Sequence, residues 1–180
     1  MWALLILIAI AVAVFFLYNS LVGLKVRADG AWSDIDVQLK RRHDLVPNLV
    51  ETVKGYASHE RGTLEAVIEA RNRAATVQGG PAAQAEAEGM LTGALRQLFA
   101  LSEAYPELRA AENFGQLQSS LADIEDAIQN ARRYYNAVVR DFNTRVLQFP
   151  SNLIARTFGF REREFFEMAE SERSVPRVSF

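Results

Sequence analysis

The feature that most constrains this chain is an uninterrupted apolar run near its N-terminus. Residues 2–17 are all apolar, and the first charged side chain in the sequence is Lys25. A helix of about 23 residues, with a rise of ~1.5 Å per residue, is long enough to cross a hydrocarbon layer of ~30 Å. Trp2 at one end and Tyr18 with Asn19 at the other have the amphipathic character typical of membrane interfaces. The sequence therefore predicts a transmembrane anchor over residues 1–24, with lipid contact through residues 2–24.

A cleaved secretory signal is the competing interpretation of the same run. Ala11, Val12 and Ala13 form a small-x-small pattern that resembles a signal-peptidase site. This pattern lies inside the apolar run, however, and the basic segment that precedes the apolar part of secretory signals is missing. The pattern therefore favours an anchor that is not cleaved.

Basic residues flank only one end of the apolar run. Lys25 and Arg27 follow it directly, residues 40–42 add three more basic side chains, and none precedes it. Because positively charged flanks remain on the cytoplasmic side, this asymmetry predicts a single-pass protein with a cytoplasmic soluble part.

Composition excludes several classes of function. The chain has 20 basic and 22 acidic residues and no basic block of the size that nucleic-acid binding usually needs, so nucleic acid is not an expected partner. It contains no cysteine, which removes disulfides, thiolate metal sites and thiol catalysis. With 180 residues, 49% of them hydrophobic, it is long enough to bury one sizeable core.

Beyond the anchor, apolar residues recur at helical spacing. The first helix is predicted to continue from the anchor without a break and to carry one apolar stripe in which Arg42 is the single polar member. Pro47 lies within this stripe and removes a backbone hydrogen bond to the carbonyl of residue 43, which predicts a kink or a widened turn. The apolar members of the stripe are Trp32, Ile35, Leu39, Val46, Leu49, Val53 and Tyr56.

Two shorter helices are predicted next. The second runs from about residue 60 to 77, with Ser58 as its N-cap, and the sequence Gly79-Gly80-Pro81 ends it. The third runs from about residue 82 to 104 and stops before Tyr105-Pro106. Their inward faces are predicted to carry Leu64, Val67, Ile68 and Arg71 in the second helix and Leu91, Leu95, Leu98 and Leu101 in the third.

The fourth predicted helix, from about residue 107 to 148, has the most regular period. Its apolar residues alternate in steps of three and four over about four heptads, the pattern of a bundle or coiled-coil seam. The seam contains Phe114, Leu117, Leu121, Ile124, Ile128, Ala131, Tyr135, Val138 and Phe142. The predicted fold is therefore all-α: an N-terminal transmembrane helix followed by an antiparallel four-helix bundle with long helices.

The sequence divides into four predicted segments: the anchor over residues 1–24, a helical bundle over 25–148, an amphipathic segment over 149–170 and a disordered tail over 171–180. The summed lengths of the predicted helices, which alternate in direction, place the amphipathic segment (149–170) back near the bilayer surface. That segment is expected to lie on lipid headgroups, to pack on a neighbouring protomer, or to cap the base of the bundle. Its apolar face comprises Leu153, Ile154, Phe158, Phe165 and Met168.

Both histidines, His43 and His59, are followed by a carboxylate, which raises the question of a metal site. Sixteen residues of helix rotate by ~160° and rise by ~24 Å, so the two side chains cannot share one ion. No glutamate stands three residues before either histidine, as in di-iron bundles, and the zinc motif His-Glu-x-x-His is missing. We therefore expect no metal, no cofactor and no catalytic residue, and we assign His43 with its neighbours to a solvated helix face.

Arg42 interrupts the apolar stripe and requires a carboxylate partner if it is buried. Glu125 and Asp126 on the fourth helix are the candidate partners. An alternative function uses the same residues: an enzyme or metal-dependent module with a polar site near Arg42, His43, Glu125 and Arg132. That alternative requires three or more of these side chains to converge on one water-accessible pocket.

Several stretches together resemble the LemA family of bacterial membrane proteins. They include AWSDIDVQLKRR (31–42), DLVPNLV (44–50), EAYPELRA (103–110) and FGQLQSSLADIEDAIQNARRYYNAVVRDFN (114–143). The resemblance extends from residue 18 to 160. It implies a single N-terminal span, a helical-bundle domain in the cytoplasm, and no established reaction. Residues that fit the family pattern without an assigned chemical role are Tyr18, Asn19, Trp32, Asp44, Pro47, Asn48, Gly55, Tyr56, His59, Glu60, Tyr135 and Asn136.

The sequence as a whole predicts an interaction or scaffold module at the bacterial inner membrane. Its expected partners are a second copy of itself, as a homo-oligomer, or other membrane proteins. No small-molecule substrate is identified, and no enzymatic activity is expected.

Overall fold

The computed structural model describes residues 1–167, and within that range the chain is helical, with no strand. Six helices follow one another: α1 (Trp2–Tyr56), α2 (Arg61–Thr76), α3 (Pro81–Ser102), α4 (Pro106–Arg109), α5 (Glu112–Leu147) and α6 (Ser151–Phe158). The prediction of an all-α fold is confirmed. Met168 and the predicted disordered tail, residues 171–180, lie outside the described residues.

Helix α1 runs for 55 residues without interruption, which confirms that the apolar run continues directly into the following helix. Its N-terminal part is apolar and uncovered: Leu4, Ile6 and Phe16 are 64%, 60% and 66% exposed. Exposing such side chains to water is unfavourable in proportion to their apolar area, whereas lipid would cover them. The helix is long and apolar enough to cross a membrane.

The chain forms two compact units. The first unit contains residues 1–35 and 131–165. Its core is built on Leu21, Phe142 and Ala155, with Ile154 and Phe160 packed against it, and further contacts from Leu24 and Val146. Helix α6 therefore buries one of its faces against α1 and α5.

Residues after α6 are held by polar contacts, although they form no helix. Gly159 adopts a left-handed conformation with φ of 73°, which suits a residue without a Cβ and ends α6. The side chain of Asn143 donates to the Arg163 carbonyl at 2.9 Å and accepts from the Arg163 amide at 2.8 Å. The Arg163 guanidinium also pairs with Asp29, and the Tyr135 hydroxyl donates to the Glu164 carbonyl at 3.0 Å.

The second unit contains residues 36–130, together with residues 166 and 167. Its hydrophobic core takes buried side chains from α1, α2, α3, α4 and α5, so it is contiguous across five helices. Buried members that the apolar periods predicted are Val46, Leu49, Val53, Leu64, Val67, Leu91, Leu95, Leu98, Phe114 and Leu121.

Two predicted core residues are exposed instead: Tyr56 by 46% and Ile68 by 44%. Tyr56 is the last residue of α1, and the next residue, Ala57, is buried in its place. In α2, the buried Leu64, Val67 and Ala74 define the inward direction. Ile68 points ~90° away from that direction, at ~100° per residue, so it faces solvent.

The predicted N-cap of α2, Ser58, is wrong. The cap residue is Glu60, whose backbone amide donates to the Ala57 carbonyl at 3.1 Å. This turn satisfies the amide locally and delays the start of α2 to Arg61. Glu60 makes no side-chain capping bond.

The fourth predicted helix is divided into α4 and α5, which is a second correction. Leu108 in α4 and Phe114 in α5 are both buried. Six residues on one straight helix rotate by ~600°, so these two side chains would point ~120° apart. The break at residues 110 and 111 turns both toward the core.

Candidate functional site

Five polar side chains come together inside the second unit, and we call them the polar cluster: Arg42, His43, Glu88, Thr92 and Glu125. Helix α1 supplies the first two, α3 supplies Glu88 and Thr92, and α5 supplies Glu125. Arg42, His43 and Glu88 are only 4%, 7% and 1% exposed. Burial of charged groups is costly unless they are paired, so their mutual contacts decide whether the cluster is stable.

The Arg42 guanidinium joins three helices. It donates to the Thr92 hydroxyl at 2.6 Å, and it lies 3.3 Å from a Glu125 carboxylate oxygen and 3.6 Å from one of Glu88. The contact with Glu125 confirms one of the two predicted partners, whereas Asp126 is exposed. Arg42 therefore occupies its place in the apolar stripe because two carboxylates compensate its charge.

Glu88 is the central acceptor of the polar cluster. Its Oε1 accepts from Gln84 at 2.9 Å and lies 2.8 Å from Nε2 of His43. Its Oε2 is buried without a hydrogen bond, and the Arg42 contact is its charge compensation. Sequence reasoning missed this residue, although Glu88 precedes Leu91, Leu95 and Leu98 in the same alternation of three and four.

The assignment of His43 to a solvated face is wrong, because its side chain is buried against Glu88. It follows Arg42 directly, and the contacts from α3 cover both side chains. His59 is exposed in the turn before α2. Across residues 1–167, no group of three or more His, Cys, Asp or Glu side chains is arranged to hold a metal ion.

Pro47 has a structural consequence one turn earlier in α1. Proline has no amide hydrogen, so the carbonyl of His43 loses its usual partner within the helix. Arg71 of α2 fills this role: its Nε donates to the His43 carbonyl at 3.0 Å. The His43 carbonyl, which Pro47 leaves without a partner inside α1, thus accepts an interhelical hydrogen bond instead.

A groove of about 670 Å³ opens beside the polar cluster, within the second unit. Arg42, Thr92 and Glu125 line it together with apolar residues such as Phe99 and Leu121. Of the four residues in the alternative function, Arg42 and Glu125 thus share one groove. The His43 imidazole contacts Glu88, and Arg132 belongs to the first unit.

These features define a class of protein: an all-helical chain whose N-terminal helix can cross a membrane and whose helical part encloses a polar cluster. Residues 31–180 match the LemA family, and the chain belongs to that family.

Named relatives are similar over most of this chain. The magnetosome protein MamQ of Magnetospirillum gryphiswaldense is 25% identical over 89% of this chain and 68% of its own length. Magnetosome protein MamQ 2 of Paramagnetospirillum magneticum is also 25% identical, over 83% of this chain and 64% of its own. Protein LemA of Metamycoplasma hominis is 24% identical over 86% of this chain and 71% of its own length. The matched region thus covers about two thirds of the magnetosome proteins.

Proposed function

We propose that this protein is a single-pass scaffold of the bacterial inner membrane that presents a cytoplasmic four-helix bundle to protein partners. One observation carries the proposal: the exposed apolar part of α1 continues without a break into a helix that packs on α2 and α3. A continuous helix thus joins the predicted anchor to the domain without a flexible linker. Lys25 and Arg27 support the cytoplasmic orientation.

The partner we favour is a second copy of the chain. Anchoring confines identical copies to one plane, which raises their effective concentration. The groove carries charges of both signs, Arg96 and Glu125, beside apolar Phe99 and Leu121. A surface with both signs of charge can be complementary to its own copy about a two-fold axis. Each ion pair between a basic group of one copy and an acidic group of the other then forms twice.

The proposal gives the polar cluster a binding and packing role rather than a catalytic one. Its buried members engage one another, with Glu88 held by His43 and Gln84, and Arg42 held by Thr92 and Glu125. A side chain used as an acid, base or nucleophile must instead present its reactive atom to a bound substrate.

The experiment is photo-crosslinking of the full chain in membranes. A benzophenone amino acid replaces Ala122, which is exposed and lines the groove, and replaces exposed Asp123, ~100° away around the same helix, as the matched control. We expect a crosslinked dimer of the chain from position 122 and a much weaker one from position 123. Deletion of residues 1–24 should reduce the dimer because the confinement is lost.

Crosslinks from position 122 to a different membrane protein would show that this protein, and not a second copy of the chain, is the partner. The scaffold role would still hold. No crosslink at position 122, with the chain still extracted only by detergent, would contradict the scaffold role. A chain released by alkaline carbonate would contradict the anchor.

A further inference from the structure

A second groove, of about 530 Å³, lies in the first unit directly after the apolar run of α1. We call it the anchor groove. Its polar lining residues are Asn19, Ser20 and Arg27 from α1 and Asp141, Thr144 and Arg145 from α5. Gly23 and Leu24 complete the wall, and the lack of a side chain at Gly23 leaves the groove open.

The depth of the anchor groove follows from the helix rise. A hydrocarbon layer of ~30 Å takes ~20 residues at ~1.5 Å per residue, so a span that begins at Trp2 ends near Leu21, with Asn19 ~3 Å inside that level and Arg27 ~9 Å beyond it. The headgroup layer of a bilayer extends ~5 to 8 Å beyond the hydrocarbon on each side. Long arginine side chains extend toward this layer. On the membrane placement of the proposed function, on which this step rests, the groove opens at headgroup level.

The charges of the anchor groove suit a phosphate. Arg27 and Arg145 are exposed, and among residues 1–167 neither guanidinium forms an ion pair. Arginine donates two parallel hydrogen bonds to a phosphate, in a geometry that a point charge cannot reproduce. Ser20 and Asn19 add neutral donors, whereas the Thr144 hydroxyl already donates to the Arg140 carbonyl.

Asp141 makes the anchor groove more selective than a purely basic patch. A carboxylate beside two arginines repels a bare polyanion but accepts hydrogen bonds from a hydroxyl or an ammonium group. Phospholipid headgroups carry both parts: a phosphate next to the glycerol backbone and a hydroxyl or ammonium at the outer end. The lining therefore matches a headgroup better than it matches an inorganic anion.

We propose that the anchor groove binds one phospholipid headgroup. Arg27 and Arg145 hold its phosphate, and Asp141 accepts a hydrogen bond from its terminal hydroxyl or ammonium group. The bound lipid fixes the position of the anchor groove, and so of the parts of α1 and α5 that line it, relative to the bilayer surface.

The test is native mass spectrometry of the full chain in detergent, titrated with phosphatidylglycerol. The double variant Arg27→Gln/Arg145→Gln should bind the lipid about tenfold more weakly, because charge-assisted hydrogen bonds to the phosphate are lost. Its matched control, Arg140→Gln/Arg156→Gln, removes the same net charge from exposed positions outside the groove and should bind normally.

A second pair of variants leaves the charge unchanged. Gly23→Leu fills the anchor groove, where a Cβ meets nothing within 4 Å, and should also weaken binding about tenfold. Gly30→Leu, at another open helical position outside the groove, is its control. Circular dichroism verifies that each variant is folded.

Equal weakening in both double variants would show a general charge effect and overturn the proposal. Competition by inorganic phosphate at millimolar concentration would reassign the groove to a soluble phosphate and overturn the lipid assignment. Loss of lipid binding leaves the crosslink at position 122 unaffected, so a failure here is distinguishable from a failure of the scaffold role.

Discussion

At Glu88, one carboxylate meets an imidazole, an amide and a guanidinium from two helices in a site with almost no access to water. Glu88→Ala would leave Arg42 with Glu125 as its remaining carboxylate. Truncating one partner of a buried ion pair typically costs ~3–5 kcal/mol, so we expect a loss of that size in the free energy of unfolding. Urea unfolding of the full chain in detergent, followed by circular dichroism, measures it.

The control for Glu88 is Glu86→Ala, which removes an exposed carboxylate two residues away on the same helix. Its effect should stay within ~0.5 kcal/mol. If the two variants unfold at the same urea concentration, the polar cluster does not stabilise the second unit.

Arg71 and Pro47 form a coupled pair through the His43 carbonyl. Arg71→Leu leaves this carbonyl without its donor and should cost ~1–3 kcal/mol. In a Pro47→Ala background, the new alanine amide can bond to the same carbonyl within the helix. Arg71→Leu should then cost clearly less, and a double-mutant cycle of urea unfolding measures the difference.

Exposed Arg73 on α2 provides the comparison for that cycle. Arg73→Leu should have the same small effect with either residue at position 47. Equal costs of Arg71→Leu in the two backgrounds would mean that Pro47 has no part in the interhelical bond.

Tyr105 links the end of α3 to Glu60 before α2. Its hydroxyl donates to the Glu60 carboxylate at 3.0 Å, and this bond, followed by burial and the carboxylate charge, raises the pKa of Tyr105 above its ordinary value of 10.0. The folded state therefore holds this proton more tightly than the unfolded state does. The stabilisation is fully present below pH 10.0 and is lost as the pH rises through the folded-state pKa.

We accordingly expect Tyr105→Phe to flatten the decline in stability above pH 10.0. Tyr56→Phe, which removes an exposed phenol, should retain the decline of the parent protein. Thermal unfolding of the full chain across that pH range compares the three proteins. If the stability of Tyr105→Phe declined with pH as steeply as that of the parent protein, the contact between Tyr105 and Glu60 would not be the cause of the decline.

At the scale of elements, the seam of α5 was the most regular pattern in the sequence, and its members Leu121 and Ile128 are buried. Leu121→Asp or Ile128→Asp places an unpaired charge in the core and should destabilise the protein by several kcal/mol. Ser120→Asp introduces the same charge at an exposed position of the same helix. Helicity and melting temperature that match Ser120→Asp would show that the seam is not part of the core.

The break between α4 and α5 shows where element prediction fails. Ala110 and Ala111 are good helix formers, and local propensity gives no reason to stop there. The helix ends because Leu108 and Phe114 both reach the core, which is a requirement of packing. Period and composition predict that helices exist, whereas the ends of helices depend on contacts with other elements.

At the scale of the whole molecule, the aromatic side chains of the C-terminal segment lie beside the end of the apolar run. The ring of Phe158 is 4.9 Å from that of Tyr18, and the ring of Phe160 is 5.8 Å from it. Tyr18 directly follows the apolar run, which is where an aromatic residue is expected at the end of a membrane span. Since Phe158 also remains partly exposed, we expect it to contact lipid headgroups.

Collisional quenching tests this placement in reconstituted vesicles. A fluorophore at position 158 should be quenched by lipid-bound quenchers more strongly than one at position 80, in the turn before α3. Equal quenching at both positions would refute the contact with the membrane surface.

Local spacing in the sequence determined the long apolar N-terminal helix, the helical fold and most of the buried apolar residues, because each depends on neighbours within one or two helical turns. It also indicated that Arg42 needed a carboxylate. The polar cluster was decided by tertiary structure, since Glu88 lies 45 residues from His43 and no local period relates the two. The same holds for the bond from Arg71 to the His43 carbonyl: Pro47 predicts an unpaired acceptor, but only the packing of α2 on α1 decides which donor reaches it.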